Sequence, residues 1–252
     1  MTVVNQFDID GIMEAGRIVA AVRDAMLAAV EPGMTTKELD NLGSALLEME
    51  GAQSAPKVTY DFPGATCISV NEEAAHGIPG SRVLCAGDVV NIDVSAEMNG
   101  YFADTGATVV VPPVSRIKAQ LCHAAKIALA NALREIQTGA PINKIGKAIQ
   151  SVAKAHRFNV IENLAGHGLG RSLHEEPVGI VGYYDHTDKR VLLAGQVIAV
   201  EPFLSTRSTQ VELADDGWTL LGYPDNLSAQ FEHTVIVTKG APIIATRSAK
   251  IG

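Results

Sequence analysis

The sequence predicts an α+β fold built from two similar halves, each two helices followed by sheet, closing on a cleft between them. Three observations carry this. Apolar residues recur at helical spacing over 8–30 and again over 114–136, and each stretch is followed by a Pro/Gly break and a second helical segment. Short runs rich in β-branched residues follow each helix pair. Gly33 and Gly139, and likewise Leu39 and Ile145, stand 106 positions apart. The halves are expected at about 1–112 and 113–252. No Ser-, Gly- or Pro-rich linker divides them, so one domain over 1–252 is expected, long enough to bury a substantial core.

The first helix places Ile12, Ile18, Val19, Val22, Met26, Leu27 and Val30 on one face and stops at Glu31-Pro32-Gly33, where Pro lacks an N–H and Gly permits the turn. Thr35 or Thr36 can cap the second helix, KELDNLGSALLEME, which ends at Gly51. TCISV, DVVNIDVSAEM and YFADTGATVVV then read as strands. Helical spacing returns from Val114 to Ile136, breaks at Thr138-Gly139-Ala140-Pro141 and resumes from Asn143 to Ala155. A strand-rich stretch follows from about Val160 to Thr246.

Charge and cysteine content narrow the function classes. Twenty Lys and Arg stand against 28 Asp and Glu, a net charge of −8 with pI near 5.3. Nucleic-acid and membrane-surface binding need clustered cations and are disfavoured. Cys67, Cys85 and Cys122 show no Cys-x-x-Cys spacing, which suits free thiols in a reducing compartment. MTVVNQFDID carries acids and no Lys or Arg before Arg17, unlike a signal peptide, so a cytoplasmic location is expected.

The chemistry concentrates in VNIDVSAEMNGYFADTGAT. Asn99-Gly100 between two strands signals a two-residue type I′ hairpin. Paired positions then sum to 199, so Asp93 faces Gly106, Ser95 faces Asp104, and the two Asp become diagonal neighbours on one face with Cβ atoms within about 8 Å. Two such carboxylates repel and resist burial unless a cation joins them; solvent exposure is the alternative. Glu201 ends the strand QVIAVE, and Glu232 interrupts LSAQFEHTVIVT, expected as one strand. His167 lies in AGHGLGRSLHEEP, His174 follows it by seven positions, and His76 lies in NEEAAHGIP. His123 and His156 read as helix-face residues, His186 sits in the polar run YYDHTDK, and His233 points away from Glu232 if its strand alternates. The zincin helix motif, G-x-S-x-G, Walker A and G-x-G-x-x-G are all missing. Carboxylates with an imidazole suit Mn, Fe, Co or Zn, and such a set can hold two divalent ions.

NEEAAHGIP, NIDV with ADT, GHGLGRSLHEEP, AVEP and SAQFEHT resemble, in order and approximate spacing over nearly the whole chain, the type I methionine aminopeptidases. That resemblance implies the pita-bread fold, two pseudo-symmetric halves around a dinuclear metal cleft. It implies removal of N-terminal methionine from nascent proteins with a small second residue, by attack of a metal-bridging water or hydroxide on the first peptide bond. Asp93, Asp104 and Glu232 would hold one ion and Asp104, His167, Glu201 and Glu232 the other. Glu201 resembles the proton acceptor, and His76 and His174 the residues that contact the scissile amide. Ser95 is expected to hydrogen-bond the attacking water. Tyr60, Phe62, Cys67 and Trp218 match methionine-pocket positions, and Leu173 stands where Phe is usual. The implied partner is the nascent N-terminal peptide, with the ribosome an open candidate and a monomer the expected state. The rival readings are an X-Pro aminopeptidase or dipeptidase of the same fold and a metal-free peptide-binding module.

Overall fold

The computed structural model describes residues 1–248, so the second half, expected to run to 252, extends past them. In the first half, α1 (Gln6–Ala29) and α2 (Thr36–Met49) precede β1 (Gln53–Ser54), α3 (Ala55–Tyr60), β2 (Cys67–Val70), β3 (Glu73–Ala75), β4 (Val89–Met98) and β5 (Tyr101–Val110). In the second, α4 (Arg116–Arg134) and α5 (Asn143–His156) precede ten short strands. These are β6 (Asn159–Val160), β7 (Ala165–Gly168), β8 (Glu175–Val181), β9 (Val197–Val200), β10 (Phe203–Ser205), β11 (Glu212–Leu213), β12 (Leu220–Leu221), β13 (Ser228–Gln230), β14 (His233–Ile236) and β15 (Ile243–Ile244).

The expected helices form for local reasons that the sequence states in part. α1 begins two residues before the apolar periodicity, because the Asn5 side chain accepts from the Asp8 N–H and caps it. α2 carries a full capping box: Thr35 Oγ1 accepts from Glu38 N–H while the Glu38 carboxylate accepts from Thr35 N–H. Helix α3 was not expected; it spans only Ala55–Tyr60, with Pro at its first turn and Asp61 left-handed at its end.

Each helix pair buries its apolar stripe against its own sheet. Ile18, Val19, Val22 and Met26 of α1 pack with Leu39 and Leu47 of α2 beneath Ile68, Val90, Ile92 and Val94. Full burial of each such side chain contributes about 1.5–3 kcal/mol. Leu121, Ala125, Ala128, Ile145 and Ile149 of α4 and α5 pack likewise beneath Ile198, Val200, Leu204 and Val235. Strand β4 pairs with β5 along its whole length and with β2 and β1, while the larger sheet of the second half runs β15-β14-β9-β7-β8. Small sheets β13-β10-β6 and β11-β12-β3 flank these.

Several features join the halves. Ile12 of α1 packs on Val197, Ala199 and Ile236. β3 of the first half pairs with β12 of the second. Thr2 bridges Gln196, and the Met1 ammonium donates to the Leu169 carbonyl at 3.1 Å.

LSAQFEHTVIVT is not one strand. It breaks at Phe231-Glu232 into β13 and β14, which belong to different sheets. At the break the chain turns its hydrogen bonds onto β5: Glu232 N–H donates to the Gly106 carbonyl at 2.8 Å, and the Thr105 hydroxyl donates to the Glu232 carbonyl at 2.9 Å. This seam lies between the halves.

Candidate active site

Two turns set the carboxylates in place. Asn99 and Gly100 both take positive φ, 53° and 79°, and the hairpin pairs Asp93 with Gly106 and Ser95 with Asp104, the expected register. Asp104 is then locked across the seam, its N–H donating to Thr234 Oγ1 at 2.8 Å and its carbonyl accepting from the same hydroxyl at 2.7 Å. Glu201 follows β9, and Glu232 occupies the break between β13 and β14.

The side chains of Asp104, His167 and Glu232 converge, each offering one ligand atom within 4.8 Å of the others. His167 Nε2 lies 3.6 Å from Glu201 Oε1. His167 Nδ1 sits 2.9 Å from the Gly168 carbonyl and donates to it when the ring is neutral, which leaves the Nε2 lone pair facing the acids. Burial pushes the carboxyls of Asp104, Glu201 and Glu232 well above the ordinary range, and repulsion among the acids adds to it. Asp93 is raised too, chiefly by burial, with a hydrogen bond from Asp104 and the nearness of His76 opposing. Burial holds His167 down to about 4, with His174 contributing.

These residues fit divalent cations. Asp104 Oδ1 and Glu232 Oε1 are buried with no hydrogen-bond partner, an expensive arrangement for carboxylate oxygens unless a cation meets them. The donors are the hard and borderline oxygens and nitrogen that such ions take.

Above the acids opens a cavity of about 610 Å³. It brings together Tyr60, Phe62, Cys67, His76, Asp93, Ser95, Asp104, His167, Leu173, His174, Glu201 and Trp218, all but Glu232 of the residues singled out from sequence. Glu232 is 1% exposed and closes the ligand group from beneath. Phe62 and Trp218 meet edge to face at 5.2 Å, and Phe203, Leu164, Leu220 and Ala75 extend the apolar wall beyond those expected. Such a wall accepts a flexible thioether, with sulfur against ring edges. His76 follows β3 with φ of 55°, a left-handed backbone in a non-glycine residue, and burial depresses its imidazole. His174 lies 2.7 Å from the Tyr60 hydroxyl through Nδ1, and its ring centroid is 4.0 Å from that of His167.

The other histidines stand apart. His123 and His156 face each other at 6.1 Å on the outer sides of α4 and α5, His186 is exposed, and His233 Nδ1 meets Thr246 Oγ1 at 2.9 Å.

One contributor lay inside a quoted motif without being singled out. The Gln230 amide packs over Gly106, donates to Glu232 Oε2 at 3.1 Å, and accepts from Asn91 Nδ2 at 2.9 Å. Its position two residues before Glu232 is the available signal, since in the single strand expected from sequence alternation turns both to the same side.

A model of metallopeptidase family M24 matches residues 10–239. Methionine aminopeptidase 2 of Bacillus subtilis strain 168 is 47% identical over 248 residues, which cover 98% of this chain and 100% of that protein. A methionine aminopeptidase of Staphylococcus epidermidis is 48% identical, covering 98% of this chain and 99% of its own. The crystal structure of methionine aminopeptidase from Thermotoga maritima superposes with a TM-score of 0.94 at 30% identity, over 98% of this chain and 100% of that one. Prolidase from Pyrococcus furiosus superposes with a TM-score of 0.79 at 22% identity over 66% of its length, a likeness of fold alone.

Proposed function

The chain belongs to metallopeptidase family M24, and from that premise we propose that it removes the N-terminal methionine of peptides and nascent proteins whose second residue is small. The observation that carries this is one cavity in which buried acids and His167 lie beneath an apolar wall of Phe62, Trp218 and Phe203. Asp93, Asp104 and Glu232 would hold one divalent ion and Asp104, His167, Glu201 and Glu232 a second, drawn from Mn, Fe, Co or Zn. Bound there, such ions polarise the scissile carbonyl and lower the pKa of the attacking water.

The protein's own groups do the rest. Glu201, its proton affinity raised by burial, takes the proton from the attacking water and passes it to the leaving amine. With Tyr60 on Nδ1, His174 presents Nε2–H to the developing oxyanion, while His76, lining the same cavity, contacts the amide. Ser95 steadies the water. The methionine side chain lies among Tyr60, Phe62, Cys67, Leu173 and Trp218. The halves act as one catalytic unit, a monomer in a reducing cytoplasm where Cys67, Cys85 and Cys122 stay free thiols. No helix among the described residues is long and apolar enough to cross a membrane.

Purified protein supplied with Mn, Co or Fe is expected to release methionine from Met-Ala-Ser, and Glu201→Ala to abolish that release. Folded protein that releases none with any of the metals refutes the reading. Preference for a Gly-Pro peptide would move it to the proline-specific relatives.

A further inference from the structure

The segment 169–174 between β7 and β8 carries Leu173 and His174 and belongs to no strand. It is tied at both ends. Upstream, the Gly170 carbonyl accepts from Phe102 N–H at 2.9 Å. The Arg171 side chain then crosses to the other half: Nη1 donates to the Gly100 carbonyl at 3.2 Å, and Nη2 donates to Asp8 Oδ1 at 2.9 Å and to the Tyr101 hydroxyl at 2.8 Å. Its guanidinium carbon lies 3.8 Å from the Tyr101 ring centroid. Downstream, Glu175 Oε1 accepts from the backbone N–H of Arg171 at 2.6 Å and of Ser172 at 2.7 Å, and Oε2 meets the Met1 ammonium. Asp8 is itself set by Val4 N–H at 3.0 Å and by the Tyr101 hydroxyl at 3.1 Å.

A loop with so few backbone bonds cannot by itself hold an imidazole to a fraction of an ångström. Arg171 is 51% exposed, so its charge attraction to Asp8 is screened and contributes little alone. What it contributes is geometry: a planar group that engages three acceptors and a ring face at once, which an ammonium does not reproduce.

We propose that Arg171 and Glu175 are positioning residues for the hydrolysis: together they latch the His174 loop to α1 and to the tip of the β4–β5 hairpin, fixing His174 over the substrate amide. This rests on the aminopeptidase reading above. The latch also makes the N-terminal end of α1 part of the catalytic apparatus, although neither Asp8 nor Tyr101 lines the cavity.

The test is steady-state hydrolysis of Met-Ala-Ser by Arg171→Ala, Arg171→Lys and Glu175→Gln, each also made in a His174→Ala background. Arg171→Ala is expected to lower kcat about tenfold or more with KM little changed, as a slightly misplaced catalytic group does. Arg171→Lys recovers only part of that loss. Calorimetric metal affinity stays at the wild-type value. In the His174→Ala background Arg171→Ala has no further effect, because the group it positions is gone. A kcat for Arg171→Ala within about twofold of wild type, or an equal loss in the His174→Ala background, overturns the proposal. Should Arg171→Ala not fold, Asp8→Asn and Tyr101→Phe withdraw its partners while leaving the loop intact, and the same kcat loss is expected. Imidazole NMR of His174 provides a readout independent of turnover: its resonances shift or broaden in the latch variants, and unchanged resonances overturn the latch. A wild-type protein that releases no methionine refutes the aminopeptidase reading, and the NMR arm still decides the latch.

Discussion

At the scale of single residues, side chains outside the cavity set the positions of the acids beneath it. The Arg23 guanidinium, 5% exposed, bonds the Thr105 hydroxyl, which in turn donates to the Glu232 carbonyl, while its Nη2 pairs with Asp24 at 2.8 Å. A buried cation behind buried acids offsets part of their repulsion, and it opposes the rise of the Glu232 carboxyl. From sequence Arg23 reads as one charge on an amphipathic helix, because its burial comes from residues about 80 and 210 positions away in the fold. His233 is the complementary case. Burial, with help from Arg23 and Arg247, holds its imidazole down to about 4 from an ordinary 6.5. The unfolded chain therefore takes up that proton first, so the stability contributed by neutral His233 is full above pH 6.5 and is lost as pH falls through about 4. In metal-free protein, His233→Gln is expected to flatten the fall of Tm between pH 7 and pH 4.5 without removing it, since depressed His167 acts in the same window. A Tm profile that keeps the wild-type slope contradicts this.

At the scale of elements, the hairpin and the seam decide where the candidate metal ligands sit. Gly106 lies opposite Asp93 with the Gln230 amide packed against it, so a methyl group at 106 has to displace that amide. Gly106→Ala is expected to weaken metal affinity, read by calorimetry, by about tenfold. Overpacking itself costs about 1–3 kcal/mol of stability. Unchanged affinity would show that Gln230 does not orient Glu232. The hairpin was legible because Asn99-Gly100 favours one turn type and therefore one register, which sets Asp93 and Asp104 on one face. The break at Phe231-Glu232 was not. Ser228 to Thr238 keeps a strand-like pattern throughout, and only the change of partner from β10 to β9, with β5 between, divides it. Helix α3 escaped for a similar reason: six residues give too little periodicity to register. The apolar wall was half legible, Tyr60, Phe62, Cys67, Leu173 and Trp218 through resemblance, while Phe203 and Leu164 stand in no motif that sets them apart from core.

At the scale of the molecule, the clustered acids and His167 come from both halves: Asp93 and Asp104 from one, His167, Glu201 and Glu232 from the other. A cation held among them is a tie between halves, and its removal leaves buried like charges facing each other. Chelation is therefore expected to lower Tm. At a metal concentration a hundredfold above Kd the ligand contributes about 2.7 kcal/mol, which corresponds to about 5–10 °C for a chain of this size. Asp104→Asn should lose that metal-dependent shift yet melt above the metal-free wild type, because its amide carries no charge and can donate to the orphaned Glu232 oxygen. Differential scanning calorimetry with and without chelator checks both, and an Asp104→Asn protein less stable than chelated wild type refutes the repulsion argument.

The union of Met1 with Leu169 and of Thr2 with Gln196 has a consequence in time. During synthesis Met1 and Thr2 wait for partners that are made 168 and 194 positions later. Chains dominated by such distant pairings fold slowly, since the entropy of closing long loops is lost before the contacts return anything. The Arg171–Asp8 contact of the latch spans 163 positions in the same way, so the latch is expected to close after the local helices have formed.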